Sequence, residues 1–225
     1  MHLATRDWGL RDYVDALEEM RSLRRARRRG EIPDTLILVE HPPVFTVGVQ
    51  GSADEDFPAG VPVVPVERGG KATWHGPGQL VGYPIVDLNP RGRDIRRYVH
   101  DVEETVVQAL RGLGLDAGRV NGRRGVWVQG ERKIASVGIA VEEWVSFHGF
   151  ALNVSNDLDA FRSFHPCGFS GEIMTSVSRE LNRPIPLDSV KADVVRAWEH
   201  VFGVEAPLGN PAETAASAAR IVPTA

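Results

Sequence analysis

Apolar positions along this chain follow two periods. Leu10, Tyr13, Val14, Leu17, Met20 and Leu23 recur at three- and four-residue spacing, which predicts an amphipathic helix stopped by Gly30. DTLILVEH is then a continuous apolar, β-branched run, the mark of a buried strand. Pro42-Pro43 breaks it and VFTVGV resumes as a second strand. A polar Gly/Pro-rich loop, GSADEDFPAGVPV, leads to a third short strand at VVPVE, and QLVGYPIVDL predicts a further one. Helical spacing returns from Asp94 to Leu113, with Ile95, Tyr98, Val99, Val102, Val106 and Leu110 on one face. VWVQGERKIASVGIAV predicts a hairpin turning at Gln129-Gly130, and SFHGFALNVS another strand. A last helix is predicted from Asp188 to Phe202, with Asp188 or Ser189 as its cap and Gly203 at its end.

Strands therefore dominate the middle, with helices at both ends and one between. This is not the strict alternation of a doubly wound fold, so the expected class is α+β (loosely α/β), a mixed β-sheet flanked by helices. Residues 1–204 are expected to form one domain. Residues 205–225, rich in Ala and small polar side chains, are expected to be a loose tail.

Composition narrows the classes. The balance of 42% hydrophobic and 25% charged residues is that of a soluble globular protein. One cysteine permits no internal disulfide, and no run of about 18 apolar residues occurs, so a cytoplasmic, membrane-free protein is expected. A net charge of -4 argues against a dedicated nucleic-acid binder. The local exception, RSLRRARRRG, reads better as the end of a helix whose arginines oppose the helix dipole than as a phosphate patch. Among 26 basic residues only Lys71, Lys133 and Lys191 are lysine. Lysine, unlike arginine, can give up its proton, so Lys71 and Lys133 draw attention.

Three segments carry candidate chemistry. RGGKATWHGPGQLVGYP, residues 68–84, sets Lys71, Trp74, His75 and Gln79 among five glycines. It fails the phosphate-loop pattern, since position 65 is proline and Ala72 follows Lys71, and it fails the dinucleotide fingerprint too. Its glycines suit close approach of backbone N–H groups to a ligand. RKIASVGIAV begins at a strand end with Lys133, and alternation puts Ala135, Val137 and Ile139 on the lysine's own face. Gly138, mid-strand, marks close approach by a ligand or another backbone.

The third segment, FHPCGFSGEIMTS, holds Cys167 between Pro166 and Gly168 in a loop-like setting. A lone cysteine is most often a small buried hydrophobe, yet loops on rigid scaffolds concentrate function. A cation about 4 Å from the sulfur is worth on the order of 4 kcal/mol at an effective dielectric near 20, enough to make thiolate the majority form. Lys133 is the candidate for that cation. His75, His148 and His165 lie in or beside these segments, but none has a zinc spacing, and no metal is expected.

Taken in order, RGGKATWHGPGQLVGYPI, RKIASVGIAV, HGFALNV and PCGFSGEIMTS resemble the lipoyl(octanoyl) transferase family, over about residues 8 to 200. The resemblance implies a fold shared with biotin and lipoate ligases and no cofactor. It implies transfer of octanoyl from octanoyl-acyl carrier protein to a lysine of lipoyl domains, those of 2-oxoacid dehydrogenases and of the glycine cleavage H protein. It further implies Cys167 as the acyl-thioester nucleophile and Lys133 as the residue that lowers its pKa. Arg68, Gly69, Gly70, Lys71, Ala72, Thr73, Trp74 and His75, with Ser136, Val137 and Gly138 and with Gly149, Phe150 and Ala151, would line the substrate site. Val137 and Phe150 stand where that family commonly has leucine.

Partners of such an enzyme are typically acidic, which points to Arg91, Arg93, Arg96 and Arg97, or to Arg123, Arg124 and Arg132, as steering groups. Three other readings compete. An ATP-dependent lipoate or octanoate ligase would need no cysteine, a non-enzymatic carrier-docking module would need no activated thiol, and a cysteine hydrolase would use His148 or His165 as base.

Overall fold

In the computed structural model of this chain, residues 3–52, 57–162 and 173–203 are described. The chain opens with β1 (Leu3–Leu10), α1 (Tyr13–Arg28), β2 (Asp34–Glu40), β3 (Val44–Val47) and β4 (Val63–Pro65). Next come β5 (Ala72–His75), β6 (Gln79–Ile85) and α2 (Ile95–Gly112). The far half holds β7 (Ala117–Val120), β8 (Arg123–Val128), β9 (Arg132–Glu142), β10 (Val145–Asn153), the single turn α3 (Val177–Glu180) and α4 (Leu187–Gly203).

The strands divide between two sheets. A seven-stranded sheet runs β1-β2-β6-β10-β9-β8-β7, and a three-stranded sheet runs β4-β3-β5. Both are mixed: β1 pairs with β2 and β3 with β4 in parallel, and the other pairs are antiparallel. Helices α2 and α4 cover one face of the large sheet with Val102, Val106, Leu110, Val194, Trp198 and Phe202. Helix α1 covers the other with Tyr13, Leu17, Met20 and Leu23. The small sheet packs its own core of Phe45, Val47, Ala72 and Trp74 against Phe161 and Met174. The expected α+β class, a mixed sheet flanked by helices, is thus the observed one.

Local sequence explains the well-placed elements. Gln129 and Gly130 both take positive φ (52° and 73°), the requirement of the two-residue hairpin turn between β8 and β9. Asp94 caps α2 by accepting the Arg97 N–H at 3.0 Å.

Other expectations need correction. Leu10 ends a strand and is 63% exposed, and Val14 is 47% exposed, so neither belongs to the buried face of α1. The first element is β1, an edge strand in which Leu3, Ala4, Trp8 and Leu10 do not alternate with its polar residues, and β7 is the short strand at the opposite edge. Within the glycine-rich segment Ala72–His75 form β5 rather than a loop. Helix α4 starts at Leu187, one residue earlier than expected, which puts Asp188 and Ser189 inside its first turn. The predicted tail, residues 205–225, lies outside the described residues. Among the described residues no helix is long and apolar enough to cross a membrane.

The arginine run at the end of α1 is structural, though for a more specific reason than the helix dipole. Arg21 donates to Glu67 at 2.7 Å, Arg24 pairs with Glu142 at 3.1 Å, and Arg27 donates to Asp34 at 2.8 Å. Asp34, buried at the start of β2, also accepts the Asp87 N–H (3.0 Å) and pairs with Arg91 (3.4 Å). Arg91 in turn donates to the Phe202 carbonyl of α4 at 2.9 Å. One carboxylate thereby ties α1, the segment after β6 and α4 to the sheet. Removing one partner of a buried ion pair costs about 3–5 kcal/mol. Asp34→Ala should lower unfolding stability by about that much in urea titration, and Asp34→Asn by clearly less.

Candidate active site

The cavity that gathers the predicted stretches lies where β5 of the small sheet faces β6, β9 and β10 of the large one. Arg68, Gly69 and Gly70 enter it from the turn before β5, and Thr73 and His75 from β5 itself. Ser136, Val137 and Gly138 line it from β9, and Gly149, Phe150 and Ala151 from β10. Lys71 is exposed and does not line it. Ala72 and Trp74 do not either, because alternation along β5 turns them into the small core beside Val47 and Phe45. Tyr13, Val81, Tyr83 and His148 complete the wall. Sequence reasoning left the first three out, since a Tyr on a helix face and a Val or Tyr in an apolar strand look like ordinary core.

Close backbone approach builds this wall, as Gly138 suggested. The Gly69 N–H donates to the Ile139 carbonyl at 2.9 Å, and a Cβ on Gly138 would sit 3.0 Å from Arg68 Cδ. On β10 a Cβ at Gly149 would fall 2.2 Å from the Gly82 carbonyl oxygen, so only glycine fits there. The preceding His148 takes φ 58°, which turns the strand and aims the ring at Glu67.

A chain of hydrogen bonds runs through the cavity wall. Buried Arg68 donates from Nη2 to the Thr46 carbonyl and to Thr46 Oγ1, both at 2.8 Å, and from Nη1 to the Lys71 carbonyl at 2.9 Å. Thr46 Oγ1 lies 3.4 Å from His75 Nε2, and His75 Nδ1 lies 2.8 Å from Gln79 Oε1. For a neutral ring this arrangement makes Nδ1–H the donor and Nε2 the acceptor. Gln79 Nε2 donates to Asn153 Oδ1 at 3.0 Å, and Asn153 Nδ2 donates to the Thr175 carbonyl at 3.0 Å. The Thr175 N–H then donates to the Lys133 carbonyl at 3.0 Å. Arg68 and the backbone of Lys133 are the two ends of one connected path.

Burial sets the charge of the histidines on this side of the sheet. It drives His41 down to about 4, although the Arg11 carbonyl at 2.8 Å supports its Nδ1–H. His75 falls well below its ordinary value, by burial first and the neighbouring His41 second, and burial also lowers His148. Neutral His148 is then the donor to Glu67 Oε2 at 3.3 Å, and that hydrogen bond is the main reason Glu67 is held at about 2. Tyr13 is pushed up to about 12 by burial and stays a phenol.

Lys133, near the start of β9 as expected, is buried. Its ammonium lies 5.7 Å from the Trp127 ring centroid, a cation–π contact that offsets part of the desolvation. A register shift between Val126 and Trp127 sends both Ile134 and Ala135 into the core under α2, so strict alternation from Lys133 to Ile139 does not hold. Cys167 and His165 lie outside the described residues. The chain on either side of that segment is fixed: Phe161 and Met174 pack into the small core with Trp74, and Met174 forms a parallel bridge with Lys133.

The neutral histidines generate a prediction. The unfolded chain takes up protons near pH 6.5 that folded His41 refuses until about 4, so stability is full above 6.5 and falls as pH drops through that window. The loss from His41 alone is about 3 kcal/mol, read as a falling urea midpoint between pH 7 and 4. His41→Gln should flatten the slope.

Comparison with known proteins places the chain in a family. Residues 12–199 match the lipoyl protein ligase A/B catalytic domain. The octanoyltransferase of Geobacter metallireducens is 43% identical over 210 residues, covering 93% of this chain and 98% of its own. A bi-partite lipoate protein ligase from Thermoplasma acidophilum superposes with a TM-score of 0.69 at 20% identity, over 90% of this chain and 84% of its own. The biotin protein ligase of Aquifex aeolicus gives 0.52 at 10% identity, over 90% and 70%. By sequence and by fold, the chain belongs to the lipoyl protein ligase A/B catalytic domain family.

Proposed function

We propose that this chain transfers octanoyl from an acyl carrier protein to a lysine amine on a lipoyl domain, through a thioester on Cys167. Octanoyl transfer follows from the octanoyltransferase relative, which is similar over nearly its full length. Lipoyl domains of 2-oxoacid dehydrogenases and the glycine cleavage H protein are the proposed acceptors. The observation that carries the cysteine route is the bridge between buried Lys133 and Met174, which anchors the chain seven residues beyond Cys167 on the strand that bears the lysine.

The Cys167 thiolate attacks the thioester carbonyl carbon; the new C–S bond replaces the carrier's, and the carrier leaves as a thiolate that takes up a proton. The acceptor amine then attacks the acyl-cysteine carbonyl, a C–N bond forms, the C–S bond breaks, and the amine's proton passes to the sulfur. Lys133 stabilises the thiolate in the first half and relays that proton in the second. Thioester exchange is nearly isoenergetic, and conversion to an amide drives the sequence to completion. Burying about six methylenes of the octanoyl chain contributes roughly 5 kcal/mol, enough to select chain length. The cavity bounded by Arg68–Gly70, Thr73, His75, Ser136–Gly138 and Gly149–Ala151 is the proposed acyl-binding wall.

Intact mass after mixing with octanoyl-acyl carrier protein and no acceptor tests this directly. A stoichiometric octanoyl adduct, cleaved by hydroxylamine and absent in Cys167→Ser, is the expected result. Transfer that instead requires ATP and free octanoate would make the chain a ligase. In Lys133→Arg the charge persists but the proton cannot be given up, so adduct formation should survive while transfer to the acceptor drops at least a hundredfold. Full transfer by that variant would sink the relay.

A further inference from the structure

An open groove lies on the α2 side of the large sheet, apart from the cavity described above. Its floor is apolar, formed by Ile95 and Val99 of α2, Val120 of β7, and Ile139 and Val141 of β9. Its rim is basic, formed by Arg96, Arg119, Arg123 and Arg124. Ile95 is 43% exposed, an apolar side chain left in water on a helix otherwise packed against the sheet.

The structure sorts the arginines that the sequence grouped only by proximity. Arg91 pairs with buried Asp34, Arg93 donates to Asn89, Arg97 pairs with Asp101, and Arg132 grips Glu180 at 2.8 Å. On the rim, Arg119 is neutralised by Glu104 at 2.6 Å. Arg96, Arg123 and Arg124 are exposed, and none has an ion pair among the described residues. They come from both sequence clusters and converge on the same groove. Its acidic lining group, Glu103, is buried and turned to the Gly125 N–H at 2.8 Å.

We infer that this groove docks the acyl-carrying donor protein through an acidic helix that lays apolar side chains on the floor and carboxylates against the rim. This rests on the proposed function and names where its donor binds. Unpaired cations around an apolar strip complement such a helix and repel a basic one. The groove is also connected to the proposed chemistry. From its rim the Arg123 guanidinium lies 5.4 Å from the Trp127 ring centroid, and the Lys133 ammonium lies 5.7 Å from that same centroid. The two cations are therefore less than twice that distance apart. Docking on the α2 side with reaction beside Trp127 selects the donor over the acceptor. An acceptor lysine has only a four-carbon stem to reach around the sheet edge, whereas an acyl carrier presents its thioester on a pantetheine arm several times longer.

The test is a charge reversal, Arg96→Glu with Arg124→Glu, read by steady-state kinetics with two donors and by direct binding. With octanoyl-acyl carrier protein, KM should rise at least tenfold and kcat should change less than twofold. With octanoyl-pantetheine, which has no protein to dock, both constants should stay within twofold of the parent, which also shows the variant is folded. Raising salt on the parent enzyme should reproduce the carrier-specific KM increase. Equal losses with both donors, no loss with either, or a rise confined to the acceptor's KM would each overturn the docking assignment. Calorimetric titration with the carrier protein separates this from the functional reading. Carrier binding that the reversal abolishes, in a protein that transfers no octanoyl, would leave the dock standing and remove the activity.

Discussion

A polar group taken out of water must find a partner inside the protein, and here that requirement joins the two sheets. Arg68, Thr46, His75, Gln79 and Asn153 are all buried, and each bonds to the next. Leaving a buried donor or acceptor unmet costs about 1–3 kcal/mol, so no link can shift without penalising its neighbour. The small sheet is tied to the large one by this path. So is the chain from Met174 to Ser176, whose Thr175 is held by Asn153 on one side and by the Lys133 carbonyl on the other. Preorganisation of the site is in this sense a consequence of satisfying buried polar atoms.

What could be seen in the sequence is what local chemistry dictates. The β8–β9 turn was legible because Gln129-Gly130 tolerates the left-handed backbone that the turn needs, and α2 was legible because its apolar face repeats cleanly after an Asp cap. The stretches at 68–75 and 136–138 drew notice through glycines, of which Gly138 proves to be packed under the Gly69 carbonyl. Edge strands β1 and β7 were not legible, since an edge is held by hydrogen bonds to one neighbour and needs no apolar alternation. Nor was β5, whose glycine-rich flanks mask four strand residues. Tyr13, Tyr83 and His41 meet only in space, through α1, β6 and the segment after β2; His41 Nε2 lies 2.8 Å from the Tyr83 hydroxyl with no local sign of it. The same holds for the arginines, whose separation in sequence hid which three share a groove.

The two faces of the large sheet are put to different uses by their helices. On the α1 side, burial keeps three histidines neutral and commits Arg68 to the oxygens of Thr46, Gly69 and Lys71, so the cavity sets this guanidinium among neutral polar and apolar walls. On the α2 side the charge is exposed and screened by solvent, where it steers a partner more than it holds one. The α2 side also carries stacked aromatic packing, with Phe202 of α4 against Trp198 and Tyr98.

Placing the lysine on the sheet and the thiol beyond it has a physical logic under the proposed mechanism. A buried ammonium is expensive unless an opposite charge or a π face compensates it, and Trp127 supplies only part of that compensation. A thiolate beside Lys133 would add to it, so that lysine and cysteine would stabilise each other's charged forms in the resting enzyme. Acylation consumes the thiolate's charge. The ammonium then sits buried beside a neutral thioester, and giving up its proton becomes easier just as the acceptor amine needs a base. The rigid partner in this exchange is the one whose burial must be held constant, and β9 holds it, between Trp127 on β8 and Met174 on the chain that follows the cysteine segment. Arginine in its place would keep the first compensation and lose the second, because its proton cannot leave.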